Sequence, residues 1–71
     1  MNMMAYDYIR RTYGVDPKPK QRVLIDGKWA TIVLPRGDPH YLRVRFDGQK
    51  HTSNAHPTWR IEYGNAALAA E

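Results

Sequence analysis

Two Asp-Gly pairs, Asp26-Gly27 and Asp47-Gly48, restrict this chain more than any other feature, because between Arg22 and Phe46 they punctuate three consecutive β-strand patterns. An Asp-Gly pair between β-forming residues is a strong hairpin signal, since a two-residue type I′ turn needs positive φ at both central positions. With Asp26-Gly27 as the loop, Ile25 faces Lys28, Leu24 faces Trp29, Val23 faces Ala30 and Arg22 faces Thr31. One face then carries Val23, Ile25, Ala30, Ile32 and Leu34, all apolar, and is assigned to the core. The other face carries Arg22, Leu24, Trp29, Thr31 and Val33.

The third strand, Leu42-Arg43-Val44-Arg45-Phe46, alternates apolar and cationic residues, so Leu42, Val44 and Phe46 point inward and the arginines outward. Counting across Asp47-Gly48 as a second tight turn sets Arg45 opposite Lys50, Val44 opposite His51 and Arg43 opposite Thr52. Gln49 to Ser53 is then a short polar edge strand, and Thr58 to Tyr63 supplies a fifth. Residues 35–40 and 53–57 read as loops. Met3, Tyr6, Ile9 or Arg10, and Tyr13 recur at helical spacing, with Asn2 to cap the start and Gly14 to end the helix. The prolines of Asp16-Pro17-Lys18-Pro19-Lys20 make an extended connector.

The expected fold is therefore mainly β: a small five-stranded SH3-like barrel with a short N-terminal helix. It forms one domain over residues 1–71, with a helix at 3–13, a connector at 15–21, the barrel at 22–63 and a tail at 64–71. Closing the sheet on itself buries the core and most strand edges, which a flat sheet of this size cannot do. Seventy-one residues without a cysteine leave no disulfide or thiolate-zinc staple, so the core must suffice. A monomer this small is marginal, and a homodimer through the edge strand or the Trp29 face is a further expectation. No apolar run reaches the roughly 18 residues of a membrane span and no signal-peptide core precedes the helix. The expectation is a protein of the reducing cytoplasm without a membrane partner.

Charge narrows the function. Residues 17–60 hold nine cations against Asp26, Asp38 and Asp47, two of which are turn residues, whereas the first sixteen residues are neutral overall. Arg43, Arg45 and Lys50, with Arg36 and Tyr41 at the adjoining loop, form the candidate binding face. Arginine contacts phosphate bidentately and a neighbouring ring stacks on a base, which suits DNA or RNA, or else an acidic protein surface. A solvated basic face that only keeps the protein soluble is the plain alternative.

Trp29 is a further candidate contact, as an exposed anchor for a base or a peptide. The competing expectation is that Tyr6 and Ile9 of the helix cover Trp29 and Leu24. Trp59 is expected to plug one barrel end, with His56 hydrogen-bonded to a turn. His40, His51 and His56 lack the spacing of a common metal pair, no nucleophile has a partnered base, and no phosphate-cradling loop occurs. The reading is a non-enzyme without cofactor or metal.

The segments Tyr8 to Val15, Arg22 to Asp26-Gly27, Ala30 to Val33, Leu42 to Gly48 and His56-Pro57-Thr58-Trp59 together resemble a group of short bacteriophage and prophage proteins to which no activity is assigned. The resemblance implies a phage or prophage setting, in the bacterial host cytoplasm or in the virion. It leaves two roles open: a nucleic-acid-binding module, or a protein-binding one, as a minor virion component or a small inhibitor of a host or defence protein. The Val23 to Val33 hairpin is also loosely similar to the KOW and Tudor-like SH3-like barrels, which bind RNA, ribosomal partners or proteins. The small plasmid-type dihydrofolate reductase shares the architecture, but Leu42-Arg43-Val44-Arg45 is a poor substitute for its Val-Gln-Ile-Tyr active-site strand.

Overall fold

A computed structural model of the chain describes residues 6–64. The expected Asn2 cap, the helical start at residues 3–5 and the tail beyond residue 64 lie outside the described residues. The elements are α1 (Asp7–Tyr13), β1 (Arg22–Ile25), β2 (Lys28–Ile32), β3 (Leu42–Phe46), β4 (Ser53–Ala55) and β5 (Ile61–Tyr63). The strands form one antiparallel sheet in the order β4-β3-β2-β1-β5, curled into a half-barrel of the small SH3-like kind.

The β1–β2 hairpin has the register read from the sequence, from Ile25↔Lys28 to Arg22↔Thr31. Its turn explains why: Asp26 and Gly27 both have positive φ, 50° and 80°, as a type I′ turn requires. The inward face is buried at Val23, Ala30, Ile32, Leu42 and Val44. Each is fully covered, worth about 1.5–3 kcal/mol for a large aliphatic side chain, and Ile25, Phe46, Ala55, Ile61 and Tyr63 pack around them. Leu34 departs from the expected core set. β2 ends at Ile32, whose carbonyl accepts from Lys20 N–H, and Leu34 beyond it is 69% exposed.

The helix lies on the core side, where Tyr6 and Ile9 join the buried cluster. It does not cover Trp29, which is 50% exposed on the opposite face. Gly14 ends α1 in the left-handed conformation, φ 73°, with its N–H donating to Arg10 O at 3.0 Å. Tyr6 performs a task that no local pattern announces. Its hydroxyl donates to Val33 O and accepts from Arg43 N–H at 3.1 Å, while Val33 N–H donates directly to Arg43 O at 2.9 Å. The phenol is thus inserted into the β2–β3 ladder where the strands diverge, and it satisfies two backbone groups that would otherwise be orphaned.

The second Asp-Gly turn does not repeat the first. Only Gly48 has positive φ, 85°, and Gln49 N–H donates to Phe46 O at 3.0 Å. The chain therefore leaves the ladder after Phe46 and resumes pairing only at Ser53. Val44 faces Ser53 and Arg43 faces Asn54, two residues later than expected. Lys50 and His51 consequently lie in the loop rather than opposite Arg45 and Val44, and 53–55, expected as loop, is the edge strand.

Candidate nucleic-acid interface

Strand alternation places Arg22, Thr31 and Arg45 in one row on the outer face, through the pairs Arg22↔Thr31 and Thr31↔Arg45. Leu24, Trp29 and Glu62 form the neighbouring row, through Leu24↔Trp29 and Leu24↔Glu62. Arg43 lies one step further along β3, beside Asn54. The face therefore runs from basic on β3 to acidic on β5.

Where β2 gives way to the 33–41 loop, this face hollows into a groove of about 510 Å³ lined by Lys20, Thr31, Ile32, Val33, Leu34, Pro35, Arg36, Arg45 and Thr52. Three cations converge on it, and none of its lining residues is acidic. Lys20 reaches the rim because its backbone is held in the left-handed region, φ 75°, with its N–H donating to Ile32 O; such a conformation persists only where the surroundings impose it. Gln21, buried beside it, anchors the connector. Its side-chain amide donates to Gly64 O, and its side-chain oxygen accepts from Lys18 N–H.

The sequence-derived candidates separate on this surface. Arg36 and Arg45 share the groove. Arg43 is half-buried, its guanidinium donating to Asn54 Oδ1 at 2.7 Å, and its Nε is buried without a hydrogen-bond partner. Lys50 stands apart in the 47–52 loop, and Tyr41 lies with the aromatic residues described below. Lys20, a groove residue, was not among the candidates. Lys18-Pro19-Lys20 reads as a charged connector, and nothing in it signals the left-handed lysine.

Beside the groove, Arg22 makes a bidentate pair with Asp47 at 2.8 and 2.6 Å and also donates to Thr31 Oγ1 at 2.7 Å. The guanidinium lies 5.6 Å from the centroid of the Trp29 ring. The hydrogen bonds from Arg22 hold the Asp47 carboxyl below its usual range, with Arg45 adding a smaller charge effect in the same direction. A second hollow of about 550 Å³ opens beyond this pair, lined by Lys28, Trp29, Phe46, Asp47, Gln49, His51 and Ser53.

Rings gather around α1, residues 40–41 and residues 56–59. His56 stacks on Trp59, with centroids 4.2 Å apart and planes 11° apart, and meets Tyr13 and Tyr41 edge-on at 5.4 and 6.5 Å. Tyr8 meets His40 edge-on at 4.6 Å. His56 Nδ1 accepts from Thr58 N–H at 3.1 Å, so the expected bond from His56 to a turn is present. Trp59 is not a core plug: it is 70% exposed, and it is Pro57 that is buried here, its carbonyl accepting from the Tyr63 hydroxyl at 2.8 Å. Burial pushes the Tyr63 phenol up to about 12. Cations near these elements are ion-paired: Arg10 with Asp16, Arg11 with Asp7 and Arg60 with Asp26. Lys20, Lys28, Arg36, Arg45 and Lys50 have no carboxylate within ion-pairing distance among the described residues.

Among the described residues no group of His, Asp or Glu is arranged to hold a metal ion, and no helix is long and apolar enough to cross a membrane. Compared with protein-family models, curated proteins and solved structures, the chain matches none.

Proposed function

We propose that this protein is a non-enzymatic binding module whose outer sheet face takes the phosphate backbone of a nucleic acid in the Lys20–Arg36–Arg45 groove. The observation that carries this reading is the convergence of three cations, free of carboxylate partners among the described residues, on one concave surface. Lys20, Arg36 and Arg45 are all exposed, and like charges gathered on one concave surface attract an anion. Arginine offers phosphate a planar donor fork, and the Thr31 and Thr52 hydroxyls add neutral hydrogen-bonding capacity. The setting implied by the sequence resemblance, a phage or prophage protein acting in a bacterial host, is compatible with such a role.

The test is fluorescence anisotropy with labelled oligonucleotides at two salt concentrations. Each phosphate contact contributes about −0.7 to the slope of log affinity against log salt on a single strand. The double variant Arg36→Ala/Arg45→Ala is expected to flatten that slope by roughly 1.4, about 0.7 per contact removed, and to bind at least tenfold more weakly at low salt. Binding that is unchanged in this variant would remove the groove from consideration.

The exposed Trp59 and Tyr41 support a second reading, a protein partner such as a virion component or an inhibited host protein, because Trp and Tyr dominate protein interface hot spots. An interface of that kind would weaken on Trp59→Ala and depend little on salt.

A further inference from the structure

The Lys20–Arg36–Arg45 groove and the Trp29 hollow flank one residue, Arg22. The hollow turns over the end of the sheet, where Phe46 and Ser53 come from the inward-facing set and Trp29 and Asp47 from the outer side. The Arg22 guanidinium donates to Thr31 Oγ1, which lines the groove, and to Asp47, which lines the hollow, and it lies over the Trp29 ring that forms the hollow's wall. Trp29 and Thr31 are two positions apart on the same face of β2, about 7 Å along the strand, so one nucleotide's sugar and phosphate can reach from one to the other. The groove and the hollow differ in chemistry. The groove is cationic, with Ile32, Val33, Leu34 and Pro35 as its apolar lining. The hollow combines two rings, Trp29 and Phe46, with side chains that read the edge of a heterocycle: the Gln49 amide, the His51 imidazole, the Ser53 hydroxyl and the Lys28 ammonium.

We infer that the ligand of this face is single-stranded nucleic acid, with one unpaired base seated on Trp29 while the adjoining phosphates occupy the groove. This rests on the groove reading above and names its substrate class. A base within a duplex has both ring faces stacked on its neighbours and cannot offer one to Trp29, whereas an unpaired base can. The hollow's 550 Å³ lies within the range of small-ligand sites and suits one nucleotide. Half of the Trp29 surface is open to the solvent, so the ring is accessible to a ligand. The pair with Asp47 and the bond to Thr31 hold Arg22 in place between the groove and the hollow.

The experiment uses Trp59→Phe, which leaves Trp29 as the sole tryptophan and alters only an exposed ring. Its fluorescence is titrated with a ten-nucleotide oligothymidylate, with an abasic oligonucleotide of the same length, and with a ten-base-pair duplex. Quenching of Trp29 by the oligothymidylate is expected, with the abasic strand and the duplex bound about tenfold more weakly and without quenching. Adding Trp29→Ala, followed by anisotropy, should reduce oligothymidylate affinity to that of the abasic strand and leave abasic binding unchanged. Equal affinity for all three probes, with Trp29 unquenched and binding still lost in Arg36→Ala/Arg45→Ala, would overturn the base site and leave the groove standing. Failure of all three probes to bind at low salt would overturn both.

Discussion

The outer face of β1–β3 and the aromatic end built by α1 and the two long loops are both exposed and both rich in ring and cationic side chains, yet they are organised in opposite ways. At the aromatic end the groups engage one another: His56 stacks on Trp59, Tyr13 and Tyr41 close on His56, and Arg10, Arg11 and Arg60 each reach a carboxylate. On the sheet face Lys20, Arg36 and Arg45 converge without such partners among the described residues, and the Trp29 ring lies under a guanidinium. The difference teaches that composition alone does not mark a binding surface. Cations paired with carboxylates on their own surface have that charge balanced, whereas exposed cations gathered without a carboxylate partner remain available to an anionic ligand.

The contrast can be broken most severely at the anchor between the two regions. Ile9→Ala removes a fully buried side chain that fixes α1 to the sheet and should cost about 2–5 kcal/mol, read as a lower denaturation midpoint. Tyr6→Phe deletes the hydroxyl inserted between Val33 and Arg43 and strands two backbone groups; a loss of about 1–3 kcal/mol is expected, with faster amide exchange at Arg43. His56→Ala removes the plate beneath Trp59 and the acceptor for Thr58 N–H. It should cost about 1 kcal/mol and leave oligonucleotide affinity unchanged, since the aromatic end lies outside the groove.

The smallest effect is expected at Asp47. Its carboxyl is held below its ordinary value by Arg22. The pair's stabilisation is therefore fully present above the unfolded carboxylate range and is lost as pH falls through the lowered folded value. Asp47→Asn should be slightly less stable than wild type at neutral pH, and the difference should vanish in acid. Because the substitution also removes a negative charge beside the groove, oligonucleotide binding should tighten a few-fold, a sign opposite to that of any structural damage.

The sheet was legible where local chemistry decides it. Asp26-Gly27 can adopt positive φ at both positions, and the whole β1–β2 register follows; the Leu42–Phe46 alternation likewise sets its own faces. Asp47-Gly48 has the same letters, but Asp47 is tied to Arg22, twenty-five residues earlier, and only Gly48 turns left-handed. The expected register then slips by two. That shift preserves the alternation, so β4 still points Asn54 outward, but it removes Lys50 from the patch.

The remaining misses are non-local as well. The pattern of α1 shows an apolar side without saying which sheet face it covers. Tyr6 reaches partners 27 and 37 residues away. Trp59 looks like a plug until Pro57 is seen to be the buried residue. Arg36 and Arg45 could be named from charge, but Lys20 required the conformation of a connector that prolines alone do not specify.

The most direct test of a binding face defined by cations without carboxylate partners is oligonucleotide affinity as a function of salt. It should be measured in parallel for wild type, Arg36→Ala/Arg45→Ala and a control pair at the aromatic end, Arg11→Ala/Arg60→Ala. Each pair removes the same charge. The expected result is a flattened salt slope and at least a tenfold loss for the groove pair, against a loss of less than about threefold for the control. Equal losses in the two pairs would show that net charge, rather than the groove, attracts the strand, and would contradict the assignment.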